Sequence, residues 1–328
     1  MISYEQAKKH LENVLKLPAD WEITLQKDPL EFLGLYMRHH ATRIPFQNVT
    51  LAAVEKPKRV RPTEEDIVTQ GLTGVGGCCI NLNFFTKILL VAVGLDAFAI
   101  QGTHNCAPVD GTHCMVLVRL KDGSLYMVEV GGAFPILEPI PMQNLPFKIL
   151  CAGGFPYEFR QISDTLVGRY HIGGGLLGGQ YIGKSEDLRT SWDLFPRKFS
   201  EFDHPMLETF TNPPNSALLR NPMMCRYFFP EEVQDLLEGE LAFSKSNGIT
   251  HEIPPLSAES DVFIFAWKYL IIIGDKHARR LVKKYTSYKD MAPDLIKFFP
   301  MLDPQEVLKA CEAWSEFEVV VTAYDSIL

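Results

Sequence analysis

The chain changes its hydrophobic period near Gly94, and that change rules out both an all-helical and an all-strand architecture. Upstream, apolar residues recur at three- and four-residue spacing over 4–17, 29–41, 62–69 and 79–93, the pattern that lines them along one helix face. In the last segment Leu82, Phe85, Leu89 and Ala92 share a face, and Gly94 is the expected stop. From Leu95 to about Arg197 the period falls to two. Residues 97–103, 113–120 and 125–130 are expected strands, the last two joined by a hairpin turn at Lys121-Asp122-Gly123-Ser124. Glycines at 153–154 and 173–179 fit tight corners of a curved sheet or barrel. The second stretch is not followed by the Lys-Ser/Thr of a phosphate-binding loop.

Beyond Ser200 the two patterns mix. Residues 230–241, part of 262–284 and 304–314 read as helical, and 317–324 as a terminal strand. Asp303 is the expected N-cap of the 304–314 helix, Pro304 suits its first position, and Glu306 would complete a capping box. This organisation predicts three parts: 1–94 helical, 95–200 β and 201–328 mixed α/β. With no repeat or low-complexity linker between them, they are expected to pack as lobes of one unit.

A net charge of −8 gives no electrostatic footprint for nucleic acid or anionic lipid. The basic group Lys56, Lys58, Arg59 and Arg61 is short, broken by Pro57 and followed by Pro62, and reads as a solvated loop. The N-terminus, with Glu5, Lys8, Lys9 and Glu12 in an amphipathic pattern, lacks a signal-peptide apolar region. The longest apolar run, 262–273, contains Lys268 and falls short of the roughly 20 residues of a membrane span; it reads as core. Seven cysteines without a secretory signal predict free thiols in a reducing, cytoplasmic setting. Cys78, Cys79, Cys106 and Cys114 lack paired metal-ligand spacing, so no metal is expected.

A catalytic cysteine needs an imidazole or a helix N-terminus to favour its thiolate. Cys79 follows Gly76-Gly77 and opens a strongly periodic helix, at the positive end of the helix dipole. His113 opens one strand and Glu129 nearly ends its hairpin partner, so antiparallel pairing would set them side by side. A carboxylate there would hold the imidazole's tautomer and stabilise its cation. From spacing alone, a buried cysteine serving as a small hydrophobe and a purely structural histidine remain open.

Four segments carry a resemblance. Val75-Gly76-Gly77-Cys78-Cys79-Ile80-Asn81-Leu82-Asn83 resembles the arylamine N-acetyltransferase signature Arg-Gly-Gly-x-Cys, with the nucleophile position on Cys79. Arg43-Ile44-Pro45-Phe46-Gln47-Asn48-Val49 is similar to that family's Arg-x-Pro-Phe-Glu-Asn-Leu segment. His113-Cys114-Met115-Val116-Leu117-Val118 matches its His-led strand, and Tyr126-Met127-Val128-Glu129-Val130-Gly131 its Tyr-x-Val-Asp-x-Gly. Order and spacing agree over about residues 1–140. Three positions depart: Glu129 stands for the family's Asp, Val75 for its Arg and Gln47 for its Glu. If that Glu and Arg pair, losing both avoids stranding a buried charge, which would cost about 3 to 5 kcal/mol. Past Ser200 the likeness reduces to Pro214-Asn215-Ser216, so the third lobe is divergent.

The resemblance implies an α+β fold with a helical bundle carrying Cys79, a β-barrel carrying His113 and Glu129, and a C-terminal α/β lid. It implies ping-pong transfer of an acetyl group from acetyl-CoA, as donor substrate rather than tightly bound cofactor, through a Cys79 thioester to an arylamine or hydrazine. Phe46, Gly131, Gly132 and Phe134 are the expected pocket lining. Rival readings are an amide synthase or thiol hydrolase on the same triad, and a non-enzymatic binding protein that has lost coenzyme A.

Overall fold

The computed structural model describes residues 1–105, 107–133, 136–151, 155–172, 186–228, 262–274 and 279–317. Ser3 caps the first helix, α1 (Tyr4–Lys9), by accepting the Gln6 N–H. The chain then widens into a π-helical turn, His10–Val14, closed by Leu15 N–H donating to His10 O at 3.0 Å. That turn carries both His10 and Leu11 into the core. A short helix that periodicity missed, α2 (Trp21–Lys27), buries only Trp21 fully, too little apolar repeat to register in sequence. Asp28 caps α3 (Pro29–Arg43) through the Leu30 and Glu31 N–H groups, and Pro29 takes the first helical position.

After α4 (Val49–Ala52), α5 (Glu64–Thr73) lies later than the expected 62–69. Thr63 and Asp66 form a capping box there, and Pro62 precedes the cap rather than opening the helix. The longest apolar helix of the first half, α6 (Cys79–Ala92), stands where its period placed it.

Eight antiparallel strands follow: β1 (Asp96–His104), β2 (His113–Arg119), β3 (Leu125–Val128), β4 (Ile140–Pro141), β5 (Phe147–Cys151), β6 (Phe155–Gln161), β7 (Leu166–Ile172) and β8 (Glu186–Asp193). Their order, β4-β3-β2-β1-β8-β7-β6-β5, places β1 between β2 and β8 in a nearly closed barrel. One face of α6 packs on β1 and β2, and the shared core includes Leu82, Phe85, Leu89, Val116 and Leu117. The expected glycine corners at 153–154 and 173–179 lie outside the described residues.

Past the barrel come α7 (Asp203–Thr211), α8 (Ala217–Arg220), β9 (Met223–Phe228), β10 (Val262–Trp267), β11 (Leu270–Gly274), β12 (Arg279–Lys284), α9 (Tyr288–Phe298) and α10 (Pro304–Ser315). The helical expectation within 262–284 is wrong: this segment supplies three strands of a four-stranded sheet ordered β12-β11-β10-β9. Its run of β-branched and aromatic residues is buried on both strand faces, which erases the period-two signal. The turn after β10 is made by Lys268, with φ +48. Asp303 caps α10 alone, by accepting the Gln305 N–H at 2.7 Å, without the expected capping box to Glu306. The expected helix at 230–241 lies outside the described residues. So does the expected strand at 317–324, apart from Phe317, which sits in a turn.

One short segment ties the helical first part of the chain to the last sheet. Phe46 exchanges backbone hydrogen bonds with Cys225 on β9, at 2.9 and 2.8 Å, while the Gln47 N–H donates to Gly77 O at 3.0 Å. The Asn48 side chain donates to Leu218 O and Asn221 O and accepts from the Met223 N–H. Buried Gln47 is satisfied by Thr50 and, at 3.4 Å, by the Val75 carbonyl. Two neutral groups thus meet where the family's Glu and Arg positions fall.

Two histidines of the helical part are buried in apolar surroundings. His10 packs edge-on against Phe85, and His40 is 1% exposed with neither ring nitrogen hydrogen-bonded. Burial drives their pKa values down to about 4 and about 3. The unfolded chain therefore binds protons below about pH 6.5 that the folded chain refuses, and stability falls as pH drops through that window. Thermal melts between pH 7.5 and 4.5 should show a falling Tm, with a combined loss on the order of several kcal/mol. A His40→Leu variant should lose less over the same range.

Candidate active site

The turn before α6 delivers Cys79. Gly76 has φ +86, and a Cβ there would collide with the Pro45 carbonyl oxygen, so this crossing of two backbones requires glycine. Cys78 is the N-cap of α6, its N–H donating to Asn81 Oδ1 at 3.3 Å, and its buried thiol donates to the same oxygen at 3.0 Å. Cys79 is the first helical residue, beside N–H groups that have no intrahelical acceptor. The residue is partly exposed, and its thiol, as S–H, donates to Thr112 O at 3.5 Å.

His113 begins β2, and Glu129 lies one residue past β3. The ladder pairs Val116 with Val128. Continued by the same count, it sets Glu129 diagonal to His113 on one face rather than directly opposite. A diagonal gap of about 7 to 8 Å suits a long side chain, which accounts for glutamate at this position. The carboxylate reaches: His113 Nε2 lies 2.6 Å from Glu129 Oε2, with both side chains almost fully buried. Nδ1, the other ring nitrogen, is buried without a hydrogen-bond partner. Cys79 lines the same cavity as this ring and pushes its pKa upward.

Asn83, one helical turn beyond Cys79 and on the same face of α6, organises the carboxylate. Its Nδ2 donates to Glu129 Oε1 at 2.8 Å and to Cys114 O at 2.6 Å, while its Oδ1 accepts the Val130 and Gly131 N–H groups. Gly131 N–H also donates to Glu129 Oε1 at 2.9 Å. Asn83 belongs to the signature segment, but sequence alone gave it no role, since its partners lie 31 to 48 residues away.

Burial opposes a charge on His113, yet Glu129 and Cys79 outweigh it and raise the imidazole to about 10. For Glu129, burial likewise pushes upward and is overcome by His113, Asn83 and Arg169, which hold the carboxyl below its usual range. At Cys79 the neighbouring Cys78 thiol and burial hold the pKa well above the usual thiol range, a rise that His113 offsets only in part. His104, ring-to-ring 4.4 Å from His113, is kept well below the usual imidazole range by burial and by the nearby positive charges of His113, Arg169 and Arg189. His39, on α3, is turned elsewhere, with Nδ1 3.0 Å from Leu15 O.

A cavity of ≈ 260 Å³ opens beside Cys79 and His113. Phe46, Gly131 and Gly132 line it, as the resemblance implies; Phe134 lies outside the described residues. Tyr157, Arg169, His171, Phe265 and Trp267 line it too, and no motif pointed to them. They come from β6, β7 and β10, whose local patterns carry only strand information. Among the described residues, no group of three or more His, Cys, Asp or Glu side chains could hold a metal. No described helix is long and apolar enough to cross a membrane.

A family model described as N-acetyltransferase matches residues 29–262. No curated protein sequence matches the chain significantly. Among solved structures, the chain is similar to the arylamine N-acetyltransferase of Mycobacterium marinum at 12% identity and a TM-score of 0.67, covering 94% of this chain and 99% of that one. The complex of the M. marinum protein with CoA gives 12% identity and a TM-score of 0.64, over 92% of this chain and 96% of that one. Arylamine N-acetyltransferase C from Bacillus anthracis gives 14% and 0.62, over 92% and 100%. The shared architecture is the expected α+β one, helices on a nearly closed barrel.

Gly131 approaches α6 so closely that an added Cβ would lie 2.8 Å from Cys79 Cα and would strike the Asn83 amide. Gly131→Ala must therefore push the end of the β3 strand off the helix. A Tm lowered by several degrees, corresponding to about 1 to 3 kcal/mol, and slower alkylation of Cys79 by iodoacetamide are the expected results.

Proposed function

The chain belongs to the arylamine N-acetyltransferase family, and from that premise we propose that Cys79, His113 and Glu129 form a catalytic triad for ping-pong acetyl transfer. Acetyl transfer is the reaction of the family, and the protein is an enzyme of that kind. The observation that carries the assignment of residues is the buried Glu129–His113 hydrogen bond beside a cavity that His113 shares with a cysteine at a helix N-terminus.

The two adjacent thiols split, the Cys79 hydrogen bond lowering Cys78 while Cys78 and burial raise Cys79 well above the usual thiol range, so only one of them carries the charge and geometry has to say which. We assign it to Cys79. A Cys78 thiolate would face Asn81 Oδ1, a partial negative charge 3.0 Å away, whereas the cation of the site, His113, faces Cys79. The Cys79 thiolate attacks the carbonyl carbon of acetyl-CoA, and the tetrahedral oxyanion is received by N–H groups of the first turn of α6. As the C–S bond to coenzyme A breaks, the leaving thiolate takes a proton from the His113 imidazolium. The amine nitrogen of an arylamine or hydrazine then attacks the acetyl-Cys79 thioester, gives its proton to His113 and releases the Cys79 thiolate. Glu129 keeps the tautomer and stabilises the imidazolium throughout. The CoA complex of the M. marinum relative supports a coenzyme A thioester as donor.

Incubation with acetyl-CoA and no acceptor should leave one acetyl group on Cys79, found by intact and peptide mass, and an arylamine should then discharge it. Cys79→Ala should accumulate none. Cys78→Ala should retain most of the reaction, since one residue on a helix turns the side chain by about 100°. Acetylation of Cys78 in place of Cys79 would overturn the assignment.

The imidazolium persists through neutral pH because Glu129 and Cys79 raise His113 to about 10. His113→Asn should therefore shift the alkylation midpoint of Cys79 upward, because His113 is the group that draws this thiol down. Glu129→Gln should slow single-turnover acetylation by more than about tenfold; a rate within about twofold of wild type would remove the carboxylate from the mechanism.

A further inference from the structure

The cavity beside Cys79 joins two unlike surfaces. Phe46, Phe265 and Trp267 are apolar, with the last two rings parallel within 9° at 6.5 Å. The barrel supplies a cation. Arg169 lines the same cavity from β7, its guanidinium 4.9 Å from the Tyr157 ring centroid and its Nη2 donating to Thr190 Oγ1 at 3.1 Å. Its Nε is buried with no acceptor. Among the described residues no carboxylate forms an ion pair with it, and Glu129 is already engaged by His113, Asn83 and Gly131.

Cross-strand register explains why this cation sits near the reacting atoms. Arg169 pairs with Thr190, and Thr190 with His104, so the three form one row across β7, β8 and β1. Thr190 Oγ1 accepts from Arg169 and so keeps its own proton for His104 Nδ1, 2.9 Å away. His104 in turn stacks beside His113. The row holds one permanent charge, on Arg169, beside an imidazole kept neutral.

Size limits what that charge can meet. A cavity of about 150 Å³ admits benzene, so ≈ 260 Å³ takes one substituted aromatic ring and not a whole nucleotide thioester. The anion facing Arg169 thus belongs to the acceptor or to the acyl group, rather than to the phosphates of coenzyme A.

Resting on the acyl-transfer reading of Cys79, we propose that Arg169 is a specificity residue and that the small molecule sharing this cavity with Cys79 carries a carboxylate. The carboxylate sits either on an aromatic amine acceptor or at the end of the transferred acyl group. A guanidinium offers it paired N–H donors, and a neutral substrate forms no such charged pair, which is the basis for discrimination.

Wild type and Arg169→Met are compared in two arms. The first measures kcat/KM for 4-aminobenzoate against 4-aminobenzamide with acetyl-CoA; the second measures malonyl-CoA against acetyl-CoA with aniline as acceptor. In one arm the carboxylated-to-neutral ratio should fall about 10- to 100-fold in the variant, mainly through KM, and that arm identifies the source. Arg169→Lys, which keeps the charge without the fork, should fall between the two. Unchanged ratios in both arms, whether rates drop together or not at all, would overturn the proposal and leave Arg169 a packing partner of Tyr157. Protection of Cys79 from iodoacetamide by benzoate but not benzamide, lost in Arg169→Met, reads the same site without turnover. Absence of acetyl-Cys79 in the wild type would instead refute the acyl-transfer reading itself.

Discussion

The carboxylate of Glu129 is 1% exposed, and a charge so deeply buried is tolerated only when it is paired and fully hydrogen-bonded. Its partners come from three separate elements: His113 from β2, Asn83 from α6 and the Gly131 N–H from the chain leaving β3. Satisfying one charge therefore fixes the helix against the barrel. It also fixes Cys79, four residues before Asn83 on the same face of that helix. Structural and chemical requirements converge on one atom group, so the site needs no separate scaffold to hold its geometry.

The second constraint is the crossing of Pro45-Phe46-Gln47 over Gly76-Gly77. Phe46 joins Cys225 of the last sheet while Gln47 joins Gly77 just before Cys78 and Cys79, so the third part of the chain is anchored beside the cavity. Here the loss of both the family's Glu and its Arg has a physical outcome. A buried neutral amide meets a backbone carbonyl, Gln47 to Val75, and no unpaired charge remains. The crossing survives because it depends on backbone hydrogen bonds and on the missing Cβ of Gly76, neither of which the two substitutions touch.

The cavity illustrates how a reaction site and a selectivity surface can have different origins. Cys79, His113 and Glu129 arise within about 50 residues of one another, but the cavity lining is drawn from β6, β7, β10 and the segment around Asn215 and Ser216 as well. The proposed chemistry thus comes from one stretch of the chain, and the shape and charge of the cavity come largely from strands outside it. Arg169 is such a choice: it touches neither Cys79 nor His113 by hydrogen bond, yet sets the sign of charge in the space before them.

The sequence by itself determined the local part of this protein. The shift of period at Gly94, the long face of α6, the capped start of α10 and the order of cysteine, histidine and carboxylate were legible because each rests on neighbours within a few residues. Legibility failed where burial was two-sided, as in the strands from Val262 to Lys284, since a continuous apolar run carries no period to distinguish strand from helix. It failed again where helices were too short to repeat a face, as in Trp21–Lys27. Only the tertiary structure decided that Asn83 would hold Glu129, that Glu129 would lie diagonal to His113, and that Arg169 would enter the cavity. His113 and Glu129 lie 16 positions apart and Asn83 and Glu129 46, and local pattern holds no information about which distant groups a folded chain brings together.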